Sequence, residues 1–276
     1  MYEEHWRLSG RPFENRLDNQ FYYPAETHQA ALLKLHYAIE NRRSAVMLSG
    51  PGGIGKTLLV DSLARSLSTE FQPICPILFP TMQSEQLVRF LVDQVDPAGI
   101  DAARETSTDI SRFERFLTNN LEANCHAVVV VDEAHLLEQH GLLEPLRLLL
   151  NIAAHRSPGE SAWTLVLVGQ PTLISHVERY HALDERMAVK CMLNRLLPEE
   201  TTGYIQHRLR TAGADADEVF ELAALERIHV LTEGIPRRIN RLCDLALMVG
   251  YAEERSIISA DVIDSVHQDL AAPSIV

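Results

Sequence analysis

The chain has 276 residues, 46% of them hydrophobic and 23% charged, with a formal net charge of -13. That balance belongs to a folded, soluble protein with either one large domain or a main domain and a smaller appendage. It excludes broad, non-specific wrapping of nucleic acid, which needs many Lys and Arg on phosphates, and leaves room for a local basic patch. No apolar run approaches the roughly 18 to 20 residues of a membrane-spanning helix. The opening "MYEEHWRLSG" has no apolar core for a signal peptide. Cys75, Cys125, Cys191 and Cys243 are too scattered for a disulfide framework or a zinc site, which suits a reducing cytoplasm.

In chain order, "WRLSGRPFENRLDNQFYYP" mixes aromatics, prolines and charges and reads as an irregular segment packed onto a neighbour. In "AETHQAALLKLHYAIEN", Ala31, Leu32, Leu35 and Ile39 fall at helical spacing. "SAVMLSG" reads as a buried strand, "KTLLVDSLARSLS" as a helix, "CPILFP" as a second strand and "SEQLVRFLVDQV" as another helix. Residues 96–108, rich in Asp, Ala and Thr, read as a loop, and "ISRFERFLTNNLEAN" as a helix. "AVVVVDEAH" is the most strand-like run, "LLEPLRLLLNIAAH" returns to helix and "WTLVLVGQP" to strand. Strands alternating with helices as far as Pro171 imply parallel pairing with right-handed crossovers.

After Leu197 the strand-like runs disappear. "PEETTGYIQHRLRTAG" opens on a first-turn proline and closes at Gly213, "DEVFELAALERIHVLTEG" closes at Gly234, and "PRRINRLCDLALMVG" and "SADVIDSVHQDL" complete four helices. The expected architecture is a parallel α/β sheet domain flanked by helices over residues 1–196, then a small all-helical lid over 197–276, joined near Arg195 to Glu199.

The chemistry begins at "LSGPGGIGKTLLVDSLA". Gly50-Pro51-Gly52-Gly53-Ile54-Gly55-Lys56-Thr57 fits G-x-x-x-x-G-K-S/T, between an apolar strand and a helix. Glycines let the backbone curl so that successive N–H groups face the phosphates, and the following helix adds its positive end. Gly50 through Leu58 are therefore the expected nucleotide-binding run, with Lys56 on the β- and γ-phosphates and the Thr57 hydroxyl on Mg²⁺. The second signal is Asp132-Glu133 after four valines. At the carboxyl end of a buried strand, Asp132 is placed to hold Mg²⁺ through water and Glu133 to orient or deprotonate the attacking water. Gln170, after "TLVLVG", can sense the γ-phosphate or position the water, or simply form the turn before Pro171. Arg237 in "GIPRRIN" can reach the phosphates from the first turn of a lid helix. Arg186 and Arg195, after the last expected strand, are candidates for an arginine finger or plain surface residues. His135 follows Glu133 closely; it can contact the water or a neighbour, and an ordinary packed or surface role suits it better. The Leu142–Leu150 run reads as core helix.

Together these pieces resemble the AAA+ ATPases, and within them the ExeA, or general secretion pathway protein A, type. "RPFENRLDNQFYYP", "THQAALLKLHYAI", "SGPGGIGKT", "VVVVDEAH", "LVLVGQP", "YIQHRL" and "GIPRRINRLCD" carry the resemblance over nearly the whole chain. It implies a P-loop fold with ATP and Mg²⁺ as cofactors, Gln170 as the sensor-1 residue and Arg237 as the sensor-2 arginine. It also implies an adenine wall from residues 21–24, Tyr23 among them, with Ile235 and Pro236. Arg186 in "LDERMAVK" falls about where relatives carry Gln-Arg-Ile, with a poor local match. Such proteins generally hydrolyse ATP as oligomers, often rings, because one subunit completes the next subunit's site.

ExeA proteins continue into a membrane-spanning segment and a peptidoglycan-binding domain, whereas this chain ends at Val276. The expectation is a cytoplasmic ATPase without direct membrane insertion, recruited to the inner membrane by a partner if at all. The leading reading is an ATP-hydrolysing switch in a secretion, pilus or exopolysaccharide-export assembly, forming a homo-oligomeric ring or filament when ATP-bound. Two others stay open. One is a DNA-binding ATPase that licenses a transposase or loads a replication factor, as the related MuB and TnsC types suggest. Arg208, Arg210, Arg237, Arg238 and Arg241 favour it and the acidic total disfavours it. The other is a nucleotide-binding scaffold with negligible turnover.

Overall fold

Four apolar runs marked as strands in the sequence join one parallel sheet in the computed structural model, which describes residues 1–78, 80–95, 106–152, 161–214 and 218–271. They are β1 (Ala45–Ser49), β2 (Ile74–Ile77), β3 (Ala127–Val131) and β4 (Trp163–Gly169). A fifth, β5 (Met187–Met192), completes the order β2-β3-β4-β1-β5, with parallel pairing throughout. Every residue of β1, β3 and β4 is buried, as strands covered on both faces must be. β5 lies at the edge and alternates exposed positions with the half-buried Met187 and Val189 and the buried Cys191. It corrects the expectation that β4 is the last core strand, and it places Arg186 just before a strand rather than beyond the sheet.

By its contacts the chain divides into two units. Thr27–Gly52 and Leu59–Leu193 make one; Met1–Glu26, Gly53–Leu58 and Asn194–Val276 make the other. The boundaries differ from the 1–196 and 197–276 division in two places away from the join: residues 1–26 and residues 53–58 both group with the C-terminal helices. The N-terminal segment carries its apolar side chains into the core of the C-terminal helices.

In the α/β unit, α1 (Glu26–Glu40) buries Ala31, Leu35, Ala38 and Ile39, the stripe its spacing announces. The helix α2 (Lys56–Ser66) follows the phosphate loop, α3 (Ser84–Val95) buries Leu87, Val88, Leu91 and Val92, and α4 (Thr106–Glu122) buries Phe113 and Leu117. The loop expected over 96–108 is corrected at its end, where Thr106 to Thr108 already belong to α4; positions 96–105 lie outside the described residues. α5 (Leu143–Leu149) turns Leu143, Leu146 and Leu149 into the core, so the leucine run is core helix; its expected continuation over 153–155 lies outside the described residues. α6 (Thr172–Arg179) and α7 (His181–Asp184) then lead into β5. Trp163 meets Phe113 edge to face at 5.7 Å, inside a cluster where each buried aliphatic side chain contributes about 1.5–3 kcal/mol.

The helical unit contains α8 (Pro198–Thr211), α9 (Leu222–Thr232), α10 (Pro236–Ala252) and α11 (Ala260–Ala271). Proline opens α8, and the Glu200 carboxylate accepts the Leu197 N–H at 2.9 Å, tying off its first turn. Gly213 and Gly234 follow α8 and α9, where helix stops are expected. Ile239, Leu242, Cys243 and Ala246 all lie buried on one face of α10. Tyr2, Trp6, Leu8 and Phe13 from the N-terminal segment pack among these helices, and the Trp6 Nε1–H donates to the Leu247 carbonyl at 3.0 Å.

Candidate active site

In the α/β unit three strand ends converge on one edge of the sheet. Ser49 of β1 pairs with Gly169 of β4, and Val131 of β3 pairs with Leu167. Strand spacing puts the ends of β1 and β3 about 10 Å apart, with the end of β4 between them. Beyond the ladder the Gly50 N–H still donates to the Gly169 carbonyl at 3.2 Å, so the start of the phosphate loop is fastened beside Gln170. Gly169 also permits a close approach: a Cβ there would lie 3.0 Å from the His135 nitrogen. In open α/β sheets this carboxyl edge is where ligands bind.

Asp132 continues the ladder by donating its N–H to the Ile77 carbonyl at 2.9 Å, and its Oδ1 accepts the Glu133 N–H at 2.8 Å. That contact turns the chain sharply, and Glu133 adopts φ 50, ψ 33, in the left-handed region that few non-glycine residues occupy. The Glu133 side chain stays 50% exposed, with one carboxylate oxygen 3.3 Å from Nδ1 of His135. His135 is therefore a neighbour of the candidate base and not only a packed surface residue. Gln170 is exposed, and its carbonyl accepts from Leu173 at 2.9 Å. Five residues beyond Glu133, Glu138 meets both His176 and Arg179 of α6. The sequence pattern passes over this cluster; its only signal is a His and an Arg three apart on the short helix after Gln170.

In the helical unit, Gly53 and Gly55 adopt φ 78 and 102, the curl that turns amides inward. Lys56 opens α2 with only 7% exposure, Thr57 is exposed and Ile54 is buried. The loop touches the G-x-P-R segment directly: the Arg237 N–H donates to the Gly53 carbonyl at 3.1 Å, and a Cβ on Gly53 would lie 3.5 Å from Ile235. Arg237 is itself exposed on the first turn of α10, next to Pro236. Tyr23 packs against α8 of this unit, edge to face with Tyr204 at 6.0 Å and near His207.

The remaining arginines are mostly engaged within their own units. Arg186 donates to the Leu150 carbonyl at 3.2 Å and to Asn151. Arg195 pairs with Glu233, which also meets Arg238 at 3.6 Å. Arg208, counted in the sequence toward a basic patch, is 6% exposed. Its guanidinium donates to the carbonyls of Pro12 and Glu14 and to the Tyr204 hydroxyl, and lies 4.8 Å over the Phe21 ring. Arg210, Arg237 and Arg241 are exposed.

The residues present fit a nucleotide. Curled glycine amides, a helix start and a lysine suit a phosphate chain, and the Thr57 hydroxyl and Asp132 carboxylate are hard oxygen donors of the kind Mg²⁺ prefers. Burial pushes the Cys75 thiol up to about 11 and raises those of Cys191 and Cys243, so these cysteines act as small apolar side chains. Among the described residues no helix is long and apolar enough to cross a membrane.

Comparison with known proteins agrees with this fold. General secretion pathway protein A of Aeromonas hydrophila is 33% identical over 267 residues, which span 95% of this chain and 47% of that protein. The chain thus covers about half the length of that relative. Among solved structures, the Aeropyrum pernix ORC2 protein, in ADPNP-ADP complexes, is similar with a TM-score of 0.69 at 18% identity, covering 96% of this chain and 72% of that one. The Thermotoga maritima RuvB Holliday junction branch migration motor is similar with a TM-score of 0.59 at 20% identity, covering 89% and 69%. At these identities the two structures show the fold. A family model described as an AAA domain matches residues 39–176, half of the chain, and the chain accordingly belongs to the AAA domain family of nucleotide-binding proteins.

Proposed function

We propose that the chain is a Mg²⁺-dependent ATP hydrolase that works as a switch. The observation that carries the reading is the placement of Asp132, Glu133, Gln170 and the start of the phosphate loop at adjacent strand ends of one sheet. Gly50 to Leu58 bind the phosphates through backbone N–H groups, and the Lys56 ammonium neutralises the β- and γ-phosphate oxygens. Thr57 directly and Asp132 through water would hold Mg²⁺, which when bound would supply charge neutralisation on the phosphate oxygens. Glu133 orients the attacking water and takes its proton. Gln170 donates a hydrogen bond to the γ-phosphate or the water. Arg237 contributes positive charge toward the γ-phosphate, and Tyr23, Ile235 and Pro236 contribute an apolar wall on the adenine side.

The biological setting follows from the relative. Its name and its 33% identity across 95% of this chain support a component of a secretion assembly; a cytoplasmic location, and a pilus or exopolysaccharide-export assembly as the related settings, complete the proposal. ATP binding favours a homo-oligomer, within which an arginine of one subunit completes the site of the next. Hydrolysis then releases the assembly.

The test is phosphate release from purified protein across a concentration series. Specific activity is expected to rise with protein concentration, Lys56→Ala to abolish nucleotide binding, and Glu133→Gln to retain binding while losing at least about a hundredfold in turnover. Turnover that survives Glu133→Gln sinks the assignment of Glu133, and a flat concentration series sinks the oligomeric site.

A further inference from the structure

The hydrolysis reading requires two side chains from different strand ends to hold a constant separation: Glu133 beyond β3 and Gln170 beyond β4. Neither is fixed by burial, since Glu133 is 50% exposed and Gln170 is exposed. The β3–β4 ladder stops at Val131 and Leu167, so it fixes the strands and not the turns beyond them. Where the turns do meet, contact is tight: a Cβ on Gly169 would lie 3.0 Å from the His135 backbone nitrogen and 3.5 Å from that of Ala134. A small relative movement of the two turns therefore changes the distance between the two functional side chains directly.

Glu138 is the side chain placed to resist that movement. It lies on the segment that begins with Glu133, and both of its partners lie on α6, the helix that begins two residues after Gln170. His176 Nε2 is 2.9 Å from Glu138 Oε2, and Arg179 Nη2 donates to the same carboxylate at 2.8 Å. Positions 176 and 179 share one helix face, so two nitrogens converge on one carboxylate and fix its orientation as well as its distance. The Glu138 and His176 side chains are only 25% and 16% exposed, which limits competition from water.

We propose that Glu138, His176 and Arg179 form a positioning cluster that locks the turn bearing Glu133 to the helix following Gln170, and so sets the geometry on which ATP turnover depends. It rests on the reading of Glu133 and Gln170 given above. The three residues touch no reacting atom and act through the two that do. Misplacing a catalytic group by about 1 Å can cost up to about a hundredfold in rate, whereas a partly exposed ion pair adds little to global stability. The signature is accordingly a loss in kcat without a matching loss in binding or folding.

The experiment measures ATP turnover, affinity for a fluorescent ADP analogue and Tm for wild type, Glu138→Ala, Arg179→Ala, Arg179→Lys, the Glu138→Ala/Arg179→Ala double variant and Glu133→Gln. Expected is a fall of about tenfold in kcat for Glu138→Ala, with KM and analogue affinity within about twofold of wild type. Arg179→Ala shows part of that loss and Arg179→Lys recovers it. The double variant is no slower than Glu138→Ala alone, because both act through one contact. If Glu138→Ala does not fold, the isosteric Glu138→Gln gives the same readings. Normal kcat in Glu138→Ala alongside abolished turnover in Glu133→Gln overturns the cluster and leaves the hydrolysis reading standing. A parallel fall of kcat, affinity and Tm overturns it in favour of a general folding role. Full turnover in Glu133→Gln overturns the hydrolysis reading and the cluster together.

Discussion

Gly53 shows how much one residue can carry. Its φ of 78 and the 2.8 Å that would separate a Cβ from the Arg237 Cβ are two independent objections to any side chain. The first costs about 1–2 kcal/mol in the left-handed region, and the second pushes α10 away from the loop whose carbonyl it caps. Gly53→Ala is expected to weaken nucleotide binding by at least tenfold, read by titration with a fluorescent ADP analogue. Unchanged affinity would mean that the curl at Gly53 does not hold the phosphates. A second residue-scale prediction concerns His126, wholly buried at the opposite end of β3, with Nε2 2.8 Å from the Thr164 hydroxyl. Burial, with the Arg42 guanidinium adding to it, drives the imidazole pKa from 6.5 down to about 3. Between those values the unfolded chain binds a proton that the folded chain refuses. The stability involved is whole above pH 6.5 and drains as pH falls toward 3, at about 1.4 kcal/mol per unit. His126→Gln keeps an amide for the Thr164 hydroxyl and cannot titrate. Urea unfolding should show wild type losing about 2.3 kcal/mol more than the variant between pH 6.5 and 4.5. Equal losses would place the acid sensitivity elsewhere.

At the scale of elements, what could be read from the sequence depended on whether the signal was local. Gly50 to Thr57 and Asp132-Glu133 stand out because phosphate and water chemistry need those residue types at fixed short spacings. The strands β1, β3 and β4 stand out because burial on both faces demands unbroken apolar runs. β5 does not, because an edge strand keeps polar residues such as Lys190 on its open face and lacks that run. The Glu138 cluster joins residues 41 apart, for which no periodicity gives a sign. Arg208 misled for the same reason: on α8 it reads as a surface cation, yet its partners Pro12 and Glu14 lie 196 and 194 residues away. Arg208→Ala leaves the buried Pro12 carbonyl, the part-buried Glu14 carbonyl and the Tyr204 hydroxyl without their donor, a loss of about 3 kcal/mol. In a chain of this size that lowers Tm by roughly 6–12 °C, measurable by calorimetry. A Tm within 2 °C of wild type, roughly the shift expected for under 1 kcal/mol, would show that water replaces the guanidinium at little cost.

At the scale of the whole molecule, the N-terminal segment and the C-terminal helices belong to one unit, built from residues 1–26, 53–58 and 194–276. The family model covers only residues 39–176, so neither end of that unit falls within it. Tyr2, Trp6, Leu8 and Phe13 are each at most 7% exposed, and Tyr2 also hydrogen-bonds Asp244 of α10. At about 1.5–3 kcal/mol for each large buried side chain, these four contribute roughly 6–12 kcal/mol. The total stability of a domain is itself about 5–15 kcal/mol. The N-terminal segment is therefore a structural part of the helical unit and not an accessory to it. Deleting residues 1–18 should leave α8 to α11 without a closed core. Circular dichroism is expected to show a clear loss of helix, and limited proteolysis to cut first between Pro198 and Ala271 while fragments of the α/β unit persist. Because Ile235 and Arg237 belong to the same helical unit as Gly53, the deletion should also remove nucleotide binding although it touches no residue of the phosphate loop. A truncated protein with unchanged helix content and nucleotide affinity would show that the burial of these four side chains is a consequence of the helical core and not one of its causes.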